Sequence, residues 1–186
     1  WGITPFYASS KNIFHDVTRP FPIPDGSVDR FQSEDVFEHI PLVQIVPMID
    51  EIHRVLKPGG LFRLSVPDYH FDLYRDRTLR DENGALQFDP GGGGNFSGGE
   101  VVDGGHLWFP TIELMRDLMG QSSFAAKGRI EFMHYTEADG SHVMRPIDDG
   151  LGHIQRTRDH DGRVANRPRP ISIVIDAWKA EAPASA

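Results

Sequence analysis

The chain has 186 residues, 39% of them hydrophobic and 25% charged, which suits a single domain with its own core. A formal charge of −8 argues against nucleic acid as the main partner, because phosphate binding calls for clustered Lys and Arg. There is no cysteine, which excludes disulfides, Cys-ligated zinc and thiol catalysis, and no apolar run reaches membrane-spanning length.

In chain order, Asn12–His15 reads as a short strand ending at Asp16. Residues 18–27, with three prolines and Asp25-Gly26, read as a loop with a turn. Val28–Ser33 alternates and reads as the next strand, and residues 35–39 as a connecting turn or short helix. Leu42, Ile45, Val46, Ile49, Ile52, Val55 and Leu56 recur at helical spacing, with Pro41 suited to the first turn and Arg54 and Lys57 to the last. Pro58-Gly59-Gly60 reads as the stop of that helix, and Leu61–Val66 as a buried strand closed by Pro67-Asp68. Helix, forced stop and strand make half of a βαβ crossover, so the expected fold is α/β with a mostly parallel sheet.

Residues 68–83 are expected to be largely helical. Residues 84–106 are rich in glycine and are expected to form an irregular loop, a lid or a binding loop. Pro110–Gly120 reads as a helix with Ile112, Met115, Leu118 and Met119 on its apolar face; Arg129–Tyr135 and Ile171–Trp178 read as strands, separated by a polar, irregular insertion at 136–170. These two strands are expected to pair antiparallel at the end of the sheet. One domain over 1–179 followed by a frayed tail at 180–186 is the expected organisation.

The ordered residues His15-Asp16, Pro20-Phe-Pro-Ile-Pro-Asp-Gly-Ser-Val-Asp-Arg-Phe31, Glu34-Asp-Val-Phe-Glu-His39 and Arg54-Val-Leu-Lys-Pro-Gly-Gly60 resemble the class I S-adenosylmethionine (SAM)-dependent methyltransferases of the small-molecule type 11 kind. The resemblance covers about residues 14–70 and extends loosely to Arg169–Lys179, which is similar to that fold's last strand. It implies a Rossmann-like methyltransferase fold with helices on both faces and an antiparallel last strand. It implies SAM as cofactor and a small-molecule or sugar-type acceptor as substrate. Such enzymes normally begin with a strand and a GxGxG turn, followed by a ribose-binding acid; nothing before His15 supplies either. The chain is therefore read as a fragment of a longer protein or as a member without the front of the cofactor site. In the second case a catalytically inactive methyltransferase-like binding or assembly module is the alternative function. A nicotinamide-dependent oxidoreductase fits poorly, for want of a Tyr-x-x-x-Lys pair and a front Gly-rich fingerprint.

What the resemblance implies for sites is specific. Asp16 would accept from the adenine amino group, with Val17 offering its backbone N–H; the plainer role of Asp16 is to cap the following turn. Ser33 and Glu34 would face the methionine end of SAM. His39, in the Glu38-His39 pair, would abstract a substrate proton or else pin the loop, and His106 would close over the site with the glycine loop. Asp68, His70 and Trp108 would edge the substrate cleft. The plainer roles are a helix N-cap for Asp68 and a packed aromatic cluster for Trp108. His134, His142, His153, Asp159, His160 and Asp161 are rich in N and O ligands, but no H-E-x-x-H or facial-triad spacing stands out, so no metal site is expected. The basic residues between 156 and 169 read as a solvated loop, with an anionic substrate as the sharper alternative. No membrane or nucleic-acid partner is expected, a homodimer is admitted, and the expected location is cytoplasmic.

Overall fold

In a computed structural model, residues 2–4, 12–157, 160–161 and 169–182 are described, with the backbone alone at 2–4. The strands are β1 (Gly2–Thr4), β2 (Asn12–Phe14), β3 (Val28–Glu34), β4 (Leu56–Pro67), β5 (Leu79–Arg80), β6 (Leu86–Phe88), β7 (Asn95–Ser97), β8 (Glu100–Val102), β9 (Gly128–Thr136), β10 (His142–Met144) and β11 (Ser172–Lys179). The α-helices are α1 (Ile45–Val55), α2 (Asp72–Arg77), α3 (Ile112–Gln121) and α4 (Ser123–Lys127). Short 3-10 turns at Phe37–His39 and Leu42–Gln44 lead into α1.

Five strands form the main sheet in the order β10-β9-β11-β4-β3, while β1 and β2 pair parallel as a separate ribbon. The expected α/β class and the antiparallel last strand are both present: β11 lies antiparallel between β4 and β9. Two details differ from expectation. Only β3–β4 is parallel within the five-stranded sheet, because β11 returns between β4 and β9 and reverses the direction there. Among the described residues, the helices that pack on this sheet, α1, α3 and α4, lie on one face.

Alternation along the strands explains that asymmetry. Phe62, Leu64, Val66, Ile173, Ile175 and Ala177 point into the main core with Ile45, Ile49 and Ile52 of α1 and Met115 and Met119 of α3. Their neighbours point the other way, where Val174 and Met133 meet Ile147 and Ile154 of the irregular segment after β10. A loop covers that face. It is tied down by Arg63, which pairs with Asp176 and donates to the carbonyls of Asp148 and Gly152 at 2.7 and 2.6 Å.

The reading of Pro58-Gly59-Gly60 as a helix stop is corrected. The helix ends at Val55, and β4 begins at Leu56 with the Pro-Gly-Gly inside it. Val28 pairs with Leu56 and Arg30 with Leu61, so the surplus residues bulge out. Gly59 takes φ +73, and a Cβ on Gly60 would stand 2.8 Å from the Lys57 carbonyl oxygen. The helix expected over 68–83 is also shorter: α2 covers 72–77, and β5 follows and pairs with β6. The glycine-rich stretch holds β6 and the β7–β8 hairpin, where an irregular loop was expected. No helix among the described residues is long and apolar enough to cross a membrane.

Candidate functional site

A cavity of about 650 Å³ lies along β3. Its walls include Ile13 of β2, Val17, Ile23 and the run from Ser27 to Glu34, ending at Val36. Of the residues expected to bind the cofactor, Val17, Ser33 and Glu34 line it. Asp16 adjoins Val17, and its carboxylate is engaged as a turn cap: it accepts from the Thr18 hydroxyl at 2.7 Å, the Thr18 N–H at 3.0 Å and Arg19 Nε at 3.3 Å. The Thr18 hydroxyl and N–H, then Arg19, hold the Asp16 carboxyl below the ordinary carboxylate range.

The lower wall is anchored from α1. Glu51 accepts the Phe21 N–H at 2.5 Å and an Arg54 N–H at 2.6 Å. Arg54 also donates to the carbonyls of Phe21 and Ile23 and pairs with Asp25. The prolines of this loop leave few N–H donors, so side chains from the helix satisfy its carbonyls. The upper end is closed by the insertion. Glu34 accepts the Gln155 and Arg156 N–H groups at 3.1 and 2.6 Å, and Arg156 Nε lies 2.9 Å from Asp35. Asp35 itself turns the chain out of β3 in the left-handed region, at φ +52.

Beyond Asp35 lies a second, polar cavity of about 190 Å³, with Glu38, His39, Arg77, His106 and Arg156 on its walls. Two segments distant in sequence are zipped together here. The Glu38 carbonyl accepts the Leu107 N–H at 2.7 Å, and Trp108 Nε1 donates to the carbonyls of Phe37 and Ile40 at 3.1 and 3.0 Å. That pairing brings His106 to Glu38 and His39: His106 Nε2 lies 3.7 Å and His39 Nε2 3.9 Å from Glu38 Oε1, and the two rings meet edge-on at 4.9 Å. Both expected catalytic histidines therefore sit in one cavity.

The proton positions follow from the partners. His39 Nδ1 lies 2.8 Å from the Gly105 carbonyl oxygen, which can only accept, so Nδ1 carries the hydrogen. Tyr69 donates its single hydroxyl proton to Asp89 at 2.7 Å, so the 2.5 Å contact between Tyr69 and His106 Nδ1 has the imidazole as donor. Asp89 is held by two Arg77 N–H bonds of 2.7 Å and by the Gly91 N–H at 2.8 Å. Both imidazoles are left with a bare Nε2 lone pair toward Glu38. Glu38 is 0% exposed, and neither of its carboxylate oxygens has a hydrogen-bond partner. Burial, with Asp35 nearby, pushes its carboxyl up to about 8. Burial, with His39 alongside, pushes His106 down to about 4.

The remaining expected site residues stand apart from both cavities. Asp68 is buried and accepts the His70 and Thr136 N–H groups at 2.9 and 2.7 Å, joining β4 to the end of β9. The His70 ring donates to the Thr136 carbonyl oxygen at 2.8 Å, with Glu113 on its other side. Trp108 is the buried clasp already described. Of the expected ligand-rich segment, His153 and His160 gather with Asp149 in a largely exposed cluster, where His160 Nε2 is 3.1 Å from the carboxylate. His134 is bound to the Arg145 carbonyl, His142 is exposed on β10, Asp161 is buried, and Asp159 lies outside the described residues. Sequence reasoning did not single out Tyr69, Arg77 and Asp89. The one signal was Asp89 before Pro90-Gly91, a pattern in which an Asp side chain bonds the backbone two residues on.

Residues 8–64 match the methyltransferase domain family. That match covers under a third of the chain and falls on its first two main-sheet strands and α1. The chain's fold is that of a SAM-dependent methyltransferase from Methanosarcina mazei, with a TM-score of 0.50 at 16% identity over 92% of this chain and 68% of that one. It is also similar to a putative S-adenosylmethionine dependent methyltransferase from Listeria monocytogenes (TM-score 0.49, 14% identity, 91% of this chain and 69% of that one). A further likeness is to a S-adenosylmethionine dependent methyltransferase from Mesorhizobium loti (TM-score 0.47, 15% identity, 90% and 69%). No curated protein matches this chain in sequence.

Proposed function

We propose that this chain moves the methyl group of SAM to a small-molecule acceptor, sugars included, held in the cavity of Glu38, His39 and His106. The observation that carries this reading is adjacency. The 650 Å³ cavity along β3 ends at Glu34 and Val36, and the 190 Å³ polar cavity begins at Asp35, on the same strand end. Open α/β sheets bind ligands at the carboxyl ends of their strands; the smaller cavity lies at the end of β3, and the larger runs along the strand to meet it.

In this reading the larger cavity takes the donor. Its apolar walls at Ile13, Val17 and Ile23 suit an adenine ring, with Asp16 and Val17 at that end and Ser33 and Glu34 near the methionine end. SAM supplies an electrophilic methyl carbon, so the chain's own work is to align acceptor and donor and to manage the acceptor's proton. The bare Nε2 of His39, at the more open side of the cluster, is the group placed to take that proton when the acceptor is a hydroxyl. Arg77 and Arg156 line the cavity with their charges answered by Asp89 and Asp35, so its walls suit a polar, hydroxyl-bearing acceptor. Asp68, His70 and Trp108 then serve acceptor binding indirectly, by fixing the ends of β4 and the 37–40 turn. A cytoplasmic location accords with the cysteine-free composition and belongs to the same proposal.

The test is calorimetry of the protein with SAM and with S-adenosylhomocysteine, repeated on Val17→Trp, which fills the donor cavity. Micromolar binding that is lost in the variant is the expected result. A folded protein that binds neither ligand would overturn the assignment and leave a methyltransferase-like binding module.

A further inference from the structure

We propose that Glu38, His39 and His106 form a divalent metal site, with zinc as its best-suited ion. Three acceptors converge there: His39 Nε2, His106 Nε2 and a Glu38 oxygen all lie within 4.8 Å of one another. Each histidine has its only hydrogen on Nδ1, spent on the Gly105 carbonyl or on Tyr69. Glu38 is fully buried, and neither of its oxygens has a hydrogen-bond partner. Lone pairs facing one another at these distances repel until a proton or a metal cation lies among them.

The surroundings are those of a ligand set held ready. Metal-binding imidazoles characteristically give their other N–H to a carbonyl or a carboxylate, which fixes the tautomer and the ring orientation. His39 does so to Gly105. His106 does so through Tyr69 to Asp89, which Arg77 and the Gly91 N–H hold in turn. The backbone of Glu38 is clamped by Leu107, and the turn around it by Trp108. Ligand atoms at tetrahedral bonds of roughly 2.0–2.1 Å lie about 3.3 Å apart, so separations of 3.7 and 3.9 Å need contraction by about half an ångström.

Two imidazoles and one carboxylate, with no sulfur, suit zinc and also ferrous iron. The fourth position opens on the 190 Å³ cavity. On the methyl-transfer reading, an acceptor hydroxyl bound there would lose its proton to water more readily, as zinc-bound water does, and His39 would act as a ligand in place of a base. The metal site itself does not depend on that reading. The Asp149, His153 and His160 cluster is the weaker rival, because its carboxylate already pairs with His160 and two of its three members are exposed.

The experiment is zinc titration calorimetry and elemental analysis on the untagged, chelator-stripped protein. Wild type, Glu38→Gln, His106→Gln, Tyr69→Phe and the double variant H153A/H160A are compared, each checked for folding by circular dichroism. One equivalent is expected in the wild type and in H153A/H160A. At least a 100-fold loss is expected in Glu38→Gln and His106→Gln, and roughly 10–100-fold in Tyr69→Phe. Iron retained on purification in place of zinc would keep the site and change its ion. Absence of stoichiometric uptake of either ion by the wild type, or loss of uptake in H153A/H160A alone, would overturn the proposal. If the buried variants fail to fold, X-ray absorption of metal-loaded H153A/H160A decides: a shell with two imidazoles supports the site, and one with fewer refutes it. S-adenosylhomocysteine binding, measured in parallel, separates this outcome from failure of the methyl-transfer reading.

Discussion

Arg63 of β4 and Asp176 of β11 face each other in register across the sheet and close a two-pronged ion pair of 2.7 and 2.6 Å, with only 1% and 2% of their surfaces exposed. Each charge is tolerable there only because of the other, and Arg63 also carries the loop at Asp148 and Gly152. Asp176→Ala leaves a buried guanidinium half-paired and is expected to cost about 3–5 kcal/mol in urea denaturation. The double variant R63M/D176L should recover much of that loss. A recovery near zero would mean that the loop contacts, not the ion pair, dominate.

His39 is exposed enough to change without collapsing the core. His39→Ala is expected to slow methyl transfer to a hydroxyl acceptor by about 10²–10⁴-fold. Affinity for S-adenosylhomocysteine, measured by calorimetry, should stay within a factor of about two, because the donor cavity does not include this residue. A fall in both would show that the two cavities are not separable.

Gly105 takes φ +93, and a Cβ there would stand 2.6 Å from the Gly93 carbonyl oxygen. Its own carbonyl orients His39. Gly105→Ala should therefore lower stability by about 1–3 kcal/mol and reduce turnover further than stability explains. Thermal melts beside rate measurements check this.

Trp108→Phe keeps the ring in the core and removes both N–H bonds to the 37–40 turn. The expected loss is about 1–2 kcal/mol in denaturant titration, since two buried carbonyls lose a donor. The KM for the acceptor should rise while donor affinity holds.

Glu51 gives the pH dependence its sign. Arg54 first, and the Phe21 N–H with it, holds the folded Glu51 carboxyl below its ordinary value. The unfolded chain then binds the proton more readily, so this contribution is present above the ordinary glutamate range and is lost as pH falls through the folded value. Glu51→Gln is expected to flatten the acid limb of a stability–pH profile and to leave its alkaline limb unchanged. An unchanged acid limb would show that Arg54 and Asp25 hold the loop alone.

Much of the frame was readable from the chain. The periodicity from Leu42 to Val55 gave α1, alternation gave β3, β9 and β11, and the Glu38-His39 pair led to the polar cavity. What escaped the sequence depends on long-range partners. Pro58-Gly59-Gly60 has the composition of a helix stop, yet β3 pairs with the residues on both sides of it and turns it into a bulge. The glycine stretch has weak intrinsic preference, and pairing within it makes short strands. The partners of His106 are 37 and 68 residues away, at Tyr69 and Glu38, and no local pattern announces such a meeting. Asp68 and Trp108 were legible as notable residues; their engagement with backbone groups across the fold was not.

Gln155 and Arg156 fasten the insertion to the last residue of β3, and Arg156 reaches from there into the smaller cavity. One short stretch of chain is thus a common door to both chambers. On the proposed assignment, a donor that reshapes Glu34 would also shift Arg156 beside the acceptor, and each ligand would then sense the other's arrival.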